Sequence, residues 1–229
     1  MARHRKTRPR RAQRLIESEA DIRDGVRALT RACPAMRRLH GIVGEPPLRR
    51  MAGGFEGLAR IVVAQQLSAG SAAAIWQRTA ALVNPFEPRV LMRYTEAELN
   101  RAGLSEAKTR TLLALSEAID SRALSLERLG MASEEDIHAA LSAVRGIGPW
   151  TASIYQLFCL GRADAWAAGD LALQTATREA LALRDKPDAR ALEAIADRWR
   201  PWRGVAARLL WAWYAHPDFK LRSKPKARS

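Results

Sequence analysis

Cysteine is scarce in this chain: Cys33 and Cys159 are the only two. A disulfide-stapled scaffold is therefore excluded, and with no extracellular cue two reduced thiols in a cytoplasmic protein are expected. The four histidines, His4, His40, His138 and His216, are scattered, and none shares zinc-ligand spacing with another. No apolar run approaches the ~20 residues of a membrane span, and the basic N-terminus lacks the apolar stretch of a secretory signal. There is no glycine-rich phosphate cradle of the nucleotidase or kinase type. No segment alternates apolar and polar residues long enough to predict a strand. Acid is missing from both ends, and that absence organises the charge.

Residues 1–14 carry seven Lys/Arg and no acid, and residues 219–229 carry five more and no acid. Removing these twelve from the 38 basic residues leaves 26 against 24 acids, so residues 15–218 are nearly neutral although the chain is +14 overall. Two basic tails, 1–14 and 219–229, are expected to be disordered in the free protein. Their salt-sensitive attraction would be for nucleic acid, the partner that a pI near 11.0 suggests. Basic tails also aid solubility, so charge alone does not say what is done to that partner. The 229 residues suit one domain or two small lobes sharing a core, and a hydrophobic fraction of 48% is ample for it.

The periodicity is helical almost throughout. Leu112, Leu115 and Ile119 share one face, as do Ile137, Leu141 and Val144, and Leu192, Ile195 and Trp199. Ser133 with Asp136 three residues on predicts a capped helix start. Stops fall at Asn84-Pro85, Gly103, Gly130, Gly146 and Pro201. The fold class is all-α.

The densest information lies in residues 141–176. Gly146 and Gly148 bracket Ile147, and Pro149 follows. This is a tight reversal feeding a helix, a place where backbone amides meet phosphate. A plain connection between two core helices would look the same. Asp170 stands at the mouth of a further helix, LALQTATREALAL, where aspartate is a favoured cap.

With its neighbours, this stretch resembles the helix-hairpin-helix/Gly-Pro-Asp signature of base-excision DNA glycosylases. The closest resemblance is to the DNA-3-methyladenine glycosylase II (AlkA-type) group. The motifs that carry it are VAQQLS at 63–68, GLSEAKTR at 103–110, GIGPWTA at 146–152, AGDLAL at 168–173 and PWRG…W at 201–211. In their order they cover most of residues 55–215. The family's Gly-Pro-rich loop appears as Trp166-Ala167-Ala168-Gly169, without its proline. The resemblance implies two helical lobes flanking a cleft, in a glycosylase domain over residues 15–218. It also implies a monomer acting on double-stranded DNA that contains alkylated bases, with no membrane partner. An additional N-terminal α/β domain found in some relatives is not expected, and residues 15–50 are expected to add helices to a lobe.

The same resemblance assigns roles. Asp170 would stabilise the sugar cation formed when the C1′–N bond breaks, and orient or deprotonate the attacking water. Trp150 and Trp211 would hold the flipped base. An alkylated purine is cationic and is drawn to aromatic faces. Helical geometry supports Trp211: at 100° per residue it lies opposite Trp202 and Trp213, which are assigned to packing. The family's pocket tyrosine falls on Ile154, so its neighbour Tyr155 is the candidate, with Gln65 beside it. Gln66 and Leu67 are candidates for the wedge that fills the gap left by the extruded base. Gly146, Ile147, Gly148, Thr151 and Lys108 would meet the DNA backbone.

Two absences bear on the chemistry. Bifunctional relatives carry a Schiff-base lysine where this chain has Trp150, so a water-using, monofunctional enzyme is expected. Two cysteines cannot hold the iron–sulfur cluster found in several relatives. No cofactor is expected beyond a monovalent cation at the hairpin carbonyls. The alternative is a non-catalytic DNA-binding module that retained the hairpin, and the presence of Asp170 argues against it.

Overall fold

A computed structural model describes residues 14–222 of the chain. In order its helices are α1 (Glu19–Ala32), α2 (Pro34–Val43), α3 (Gly54–Ala64), α4 (Ala69–Leu82), α5 (Pro88–Leu91), α6 (Glu96–Arg101) and α7 (Glu106–Asp120). There follow α8 (Leu126–Leu129), α9 (Glu134–Ser142), α10 (Pro149–Ile154), α11 (Leu171–Ala180), α12 (Ala189–Ala196), α13 (Arg203–Ala215) and α14 (Pro217–Arg222). Among the described residues no strand forms, and the single bridge pairs Leu15 with Arg162. The all-α expectation holds.

Two sets of helices pack around two central ones. α7 lies against α3, α5 and α6, with Leu112 and Leu115 buried. α13 lies against α1, α2 and α11. Residues 15–50 thus contribute α1 and α2 to the second set. Trp199 and Trp213 are buried to 1% and 2% exposure. Burying a large apolar side chain stabilises by roughly 1.5–3 kcal/mol, so these two consolidate the second set, and α3 joins it to the first by packing on α10 and on the turn that follows α10. Trp202, the residue that caps α13, is buried as well, whereas on α13 itself Trp211 is only half-buried and Trp213 is buried, in line with their opposed faces.

Helix starts follow local chemistry. Ser18 with Asp21 and Thr95 with Glu98 form reciprocal capping boxes on α1 and α6. At α9 Ser133 accepts from the Asp136 amide, the capping half of that arrangement.

Both tail boundaries need correction. Phe219 is buried to 4% and packs edge-on to Trp213 inside α14, so the helical body runs past 218 to Arg222. At the other end, Arg14 accepts from the Ala163 amide at 3.0 Å and stacks its guanidinium over Trp202. The remaining tail residues, 1–13 and 223–229, lie outside those described.

One buried charge joins several segments. Arg203, 2% exposed at its side chain, bonds to Asp164 (3.0 Å), Glu193 (2.7 Å) and Glu134 (3.1 Å). Glu134 and Glu193 sit on α9 and α12, and Asp164 lies in the loop that leads to Asp170. Burial pushes the Glu134 carboxyl above its usual range even though Arg203 pulls the other way.

Candidate active site

The hairpin is built from one obligatory glycine. The Ile147 amide donates to the Val144 carbonyl at 3.1 Å, and Gly146 in between has φ +84°. That is the left-handed third position of a type II turn, which suits glycine. A Cβ there would also sit 1.8 Å from Oγ1 of Thr111 on α7. Gly148 caps α10 in extended conformation and faces open space, and Pro149 takes the first helical position. α10 continues into a π-helical turn, Tyr155–Cys159, closed by the Leu160 amide on the Tyr155 carbonyl at 3.0 Å.

Asp170 caps α11, with Oδ1 accepting from the Leu173 amide at 2.9 Å. Its carboxylate does more than cap. Oδ2 accepts from Trp150 Nε1 at 2.9 Å, and Oδ1 accepts from Trp211 Nε1 at 3.1 Å. Trp150 and Trp211, 61 positions apart in sequence, therefore converge on one carboxylate. Hydrogen bonds to an ionised acceptor are the strong ones, about 1.5–3 kcal/mol each. Trp211 is backed by Phe158, ring centres 5.6 Å apart, and Phe158 in turn lies under the Arg208 guanidinium at 5.0 Å. Arg208 is buried among the carbonyls of Leu48, Leu157 and Gly204, and desolvation lowers its pKa to about 10. Phe158 and Arg208 were not among the sequence candidates. A cavity of about 810 Å³ borders Trp150 and Gly169, but Asp170 does not line it.

Four sequence candidates sit differently from expectation. Tyr155 points into the core, 1% exposed, its hydroxyl accepting from the Gly54 amide at 3.1 Å. Burial raises its pKa to about 12. It is a packing residue here, and so is Ile154, because both sit on the inner side of the hairpin helix. Ile147 is buried to 3%, and its amide is spent within the turn, so it anchors the hairpin and leaves no donor for phosphate. Thr151 is buried to 2%, its Oγ1 accepting from Gln65 Nε2 at 2.8 Å, so the DNA backbone does not meet its side chain. Lys108 directs its Nζ to the Val63 carbonyl at 2.8 Å, at the end of α3, and burial lowers its pKa.

Gln65 accordingly ties the α3 end to the hairpin helix. Gln66 and Leu67 form the exposed turn that follows. Gln66 adopts φ +56°, and Leu67 is 39% exposed, an apolar tip standing out from the surface. Gly146, Gly148, Gln66 and Leu67 thus remain where a duplex would reach them.

Residues 59–201 match the family described as HhH-GPD superfamily base excision DNA repair protein. An alkylbase DNA glycosidase-like protein, mag2, of Schizosaccharomyces pombe is 27% identical, over 69% of this chain and 76% of that protein. A probable bifunctional transcriptional activator/DNA repair enzyme AlkA of Mycobacterium tuberculosis is 29% identical over 90% of this chain, which spans only 42% of that longer protein. Among solved structures, a 3-methyladenine DNA glycosylase of Schizosaccharomyces pombe in complex with abasic DNA superposes with a TM-score of 0.79 at 27% identity. That match covers 85% of this chain and 98% of that one.

Proposed function

Since the chain belongs to the HhH-GPD superfamily of base excision DNA repair proteins, we propose that it is a monofunctional DNA glycosylase that excises alkylated purines of the 3-methyladenine type. The observation that carries this reading is the convergence of two indoles on the Asp170 carboxylate. The hairpin around Gly146 and Gly148 grips the backbone of double-stranded DNA, and Gln66 and Leu67 enter the stack as the target nucleotide leaves it. The flipped base lies against the faces of Trp150 and Trp211, where a cationic purine gains most. As the C1′–N bond lengthens, positive charge grows on the deoxyribose beside Asp170. A carboxylate fixed by three donors needs no rearrangement to stabilise that charge. Water then adds at C1′, the purine departs with the bonding electron pair, and an abasic site remains. The protein acts as a monomer in the compartment that holds the DNA.

A monovalent cation at the hairpin fits the residues present. The Val144 and Gly148 carbonyls each accept one hydrogen bond and keep a second lone pair. Such an ion would add positive charge facing phosphate. Among the described residues no cluster of His, Cys, Asp or Glu has the makings of a metal site.

The direct test is a panel of duplexes, each with one lesion (3-methyladenine, 7-methylguanine, hypoxanthine or ethenoadenine), incubated with protein and then treated with hot alkali. Strand breaks that depend on both lesion and protein, in excess of those in the same duplex treated without protein, support the reading. DNA binding without breaks on any duplex would favour a non-catalytic hairpin module.

Water as nucleophile has its own signature. Borohydride added during turnover is expected to trap no covalent protein–DNA adduct, because Trp150 stands where a Schiff-base lysine would be. A trapped band that disappears on substitution of a single lysine would place the enzyme in the bifunctional class.

The charge distribution makes a separate prediction. Deleting residues 1–13 removes six Lys/Arg. The log–log salt dependence of binding should flatten by at most ~5 units, at about 0.9 per phosphate contact. Lesion preference should survive, since backbone contacts position the protein and the pocket reads the base. The measurement is binding to matched duplexes, with and without a lesion, over a salt series. Loss of preference with an unchanged slope would make residues 1–13 part of the recognition site.

A further inference from the structure

The helices capped by Ser or Thr differ in their third residue, which is Ser71 on α4 and Arg128 on the short α8. On α1, α6 and α9 the third helical residue after a Ser or Thr cap is an acid: Asp21, Glu98 and Asp136. An acid there suits the positive end of the helix and can close a capping box. On α7 the cap is Ser105 and the third residue is Lys108, a cation at the electrically wrong end. Its amide makes the usual bond to Ser105 Oγ, but its ammonium reaches away to the Val63 carbonyl. That carbonyl belongs to the last turn of α3, where carbonyls lack intrahelical partners and a cation is favoured. Lys108 is therefore misplaced for its own helix and well placed for the end of another.

What lies just beyond that end gives the contact its meaning. Val63 is followed by the turn that includes Gln66, held at φ +56°, and the exposed Leu67. A left-handed conformation in a residue other than glycine persists only where surrounding contacts hold it. The contacts here are the Gln65 amide on Val62, the Leu67 amide on Ala64, Gln65 Nε2 on Thr151, and Lys108 on Val63. We infer that Lys108 is a positioning residue: through the α3 end it sets the Gln66–Leu67 turn in the posture from which it enters DNA. This rests on the glycosylase reading for the purpose of that turn, but not for the contact itself. The alternative role for a lysine in this motif is a direct phosphate contact.

The two roles separate in solution. In Lys108→Met the stem stays and the ammonium goes. Binding to undamaged duplex over a salt series is expected to keep the wild-type slope, whereas loss of a phosphate contact would lower it by about 0.9. A duplex carrying 2-aminopurine opposite or beside the lesion reports base extrusion as a rise in fluorescence. That rise, and the single-turnover excision rate, should both fall about tenfold, measured well below the melting temperature of the variant. Lys108→Arg, which keeps a cation within reach of Val63, should recover most of both. Adding Lys108→Met to Leu67→Ala should cause little further loss, because the two would act on one turn. A slope lower by about 0.9 with normal extrusion would make Lys108 a phosphate ligand and overturn the inference. Wild-type extrusion and slope in the Met variant would overturn it too. If wild-type protein excises nothing, the glycosylase reading fails, while slope and extrusion still decide the role of Lys108.

Discussion

Asp170→Asn should abolish most excision, by at least ~10²-fold in single-turnover rate, while duplex affinity stays near wild type. The expected size is that of removing one preorganised electrostatic group from a site where charge develops. The cap itself should persist, since the Asn carbonyl accepts from the Leu173 amide as Asp170 Oδ1 does. The second oxygen is replaced by an NH2 group, which then faces Trp150 Nε1, donor against donor. Leaving such a donor unsatisfied costs about 1–3 kcal/mol when buried, so a modest fall in melting temperature should accompany the loss. Thermal unfolding and salt-series binding should be measured on the same preparation as the rate. A folded Asn variant that excises near-normally would remove Asp170 from the chemistry and leave it a helix cap.

The second large effect is expected at Gly146. In Gly146→Ala the residue keeps φ near +84° only against the ~1–2 kcal/mol that a left-handed conformation costs an L-residue. The new methyl would meet Thr111 Oγ1 at 1.8 Å, and that hydroxyl is itself bonded to the Ala107 carbonyl at 2.8 Å, so it cannot swing aside freely. The hairpin must shift away from α7 and carry the amides at its tip with it. Losing one hydrogen bond to a charged phosphate corresponds to roughly 10- to 150-fold in affinity. Binding to undamaged duplex should therefore fall by at least about tenfold. Adding Thr111→Ala removes the hydroxyl but not the backbone strain, and should restore affinity only in part. Wild-type affinity in the single variant would mean that the hairpin does not hold the DNA.

How much of this was legible beforehand differs by the range of the interaction. Apolar spacing marks α7 and α9 because every third or fourth residue meets the same neighbour, and the Ser133 cap is written within three residues. That Asp170 and Trp211 meet is legible from motif order and, for Trp211, from helical angle. Tyr155 is misread for a local reason with a non-local effect. α10 passes into a π-helical turn at that residue, which changes which side chains share a face, and no apolar repeat announces the change. Thr151 and Ile147 are misread because motif position says where a residue stands along the hairpin but not which side of it is buried. Lys108 and Val63 are 45 residues apart, and nothing in either segment names the other. The sign in the sequence is slight: a lysine stands at the third position of α7 where α1, α6 and α9 carry acid, but α8 has Arg128 there as well.

Arg203 has a consequence for how the molecule opens. Its guanidinium ties α9, the loop before Asp170, and α12 to α13. Separating any one of those segments leaves the buried Arg203 guanidinium short of a carboxylate, which is destabilising, most of all at Asp164 and least at the half-exposed Glu193. The first helix of the hairpin and the segment that leads to Asp170 are therefore expected to behave as one cooperative unit. Heat or denaturant is expected to loosen the hairpin and the Asp170 segment over one range. Duplex binding and excision should then decline in step, with no partly melted form that keeps the first and has lost the second.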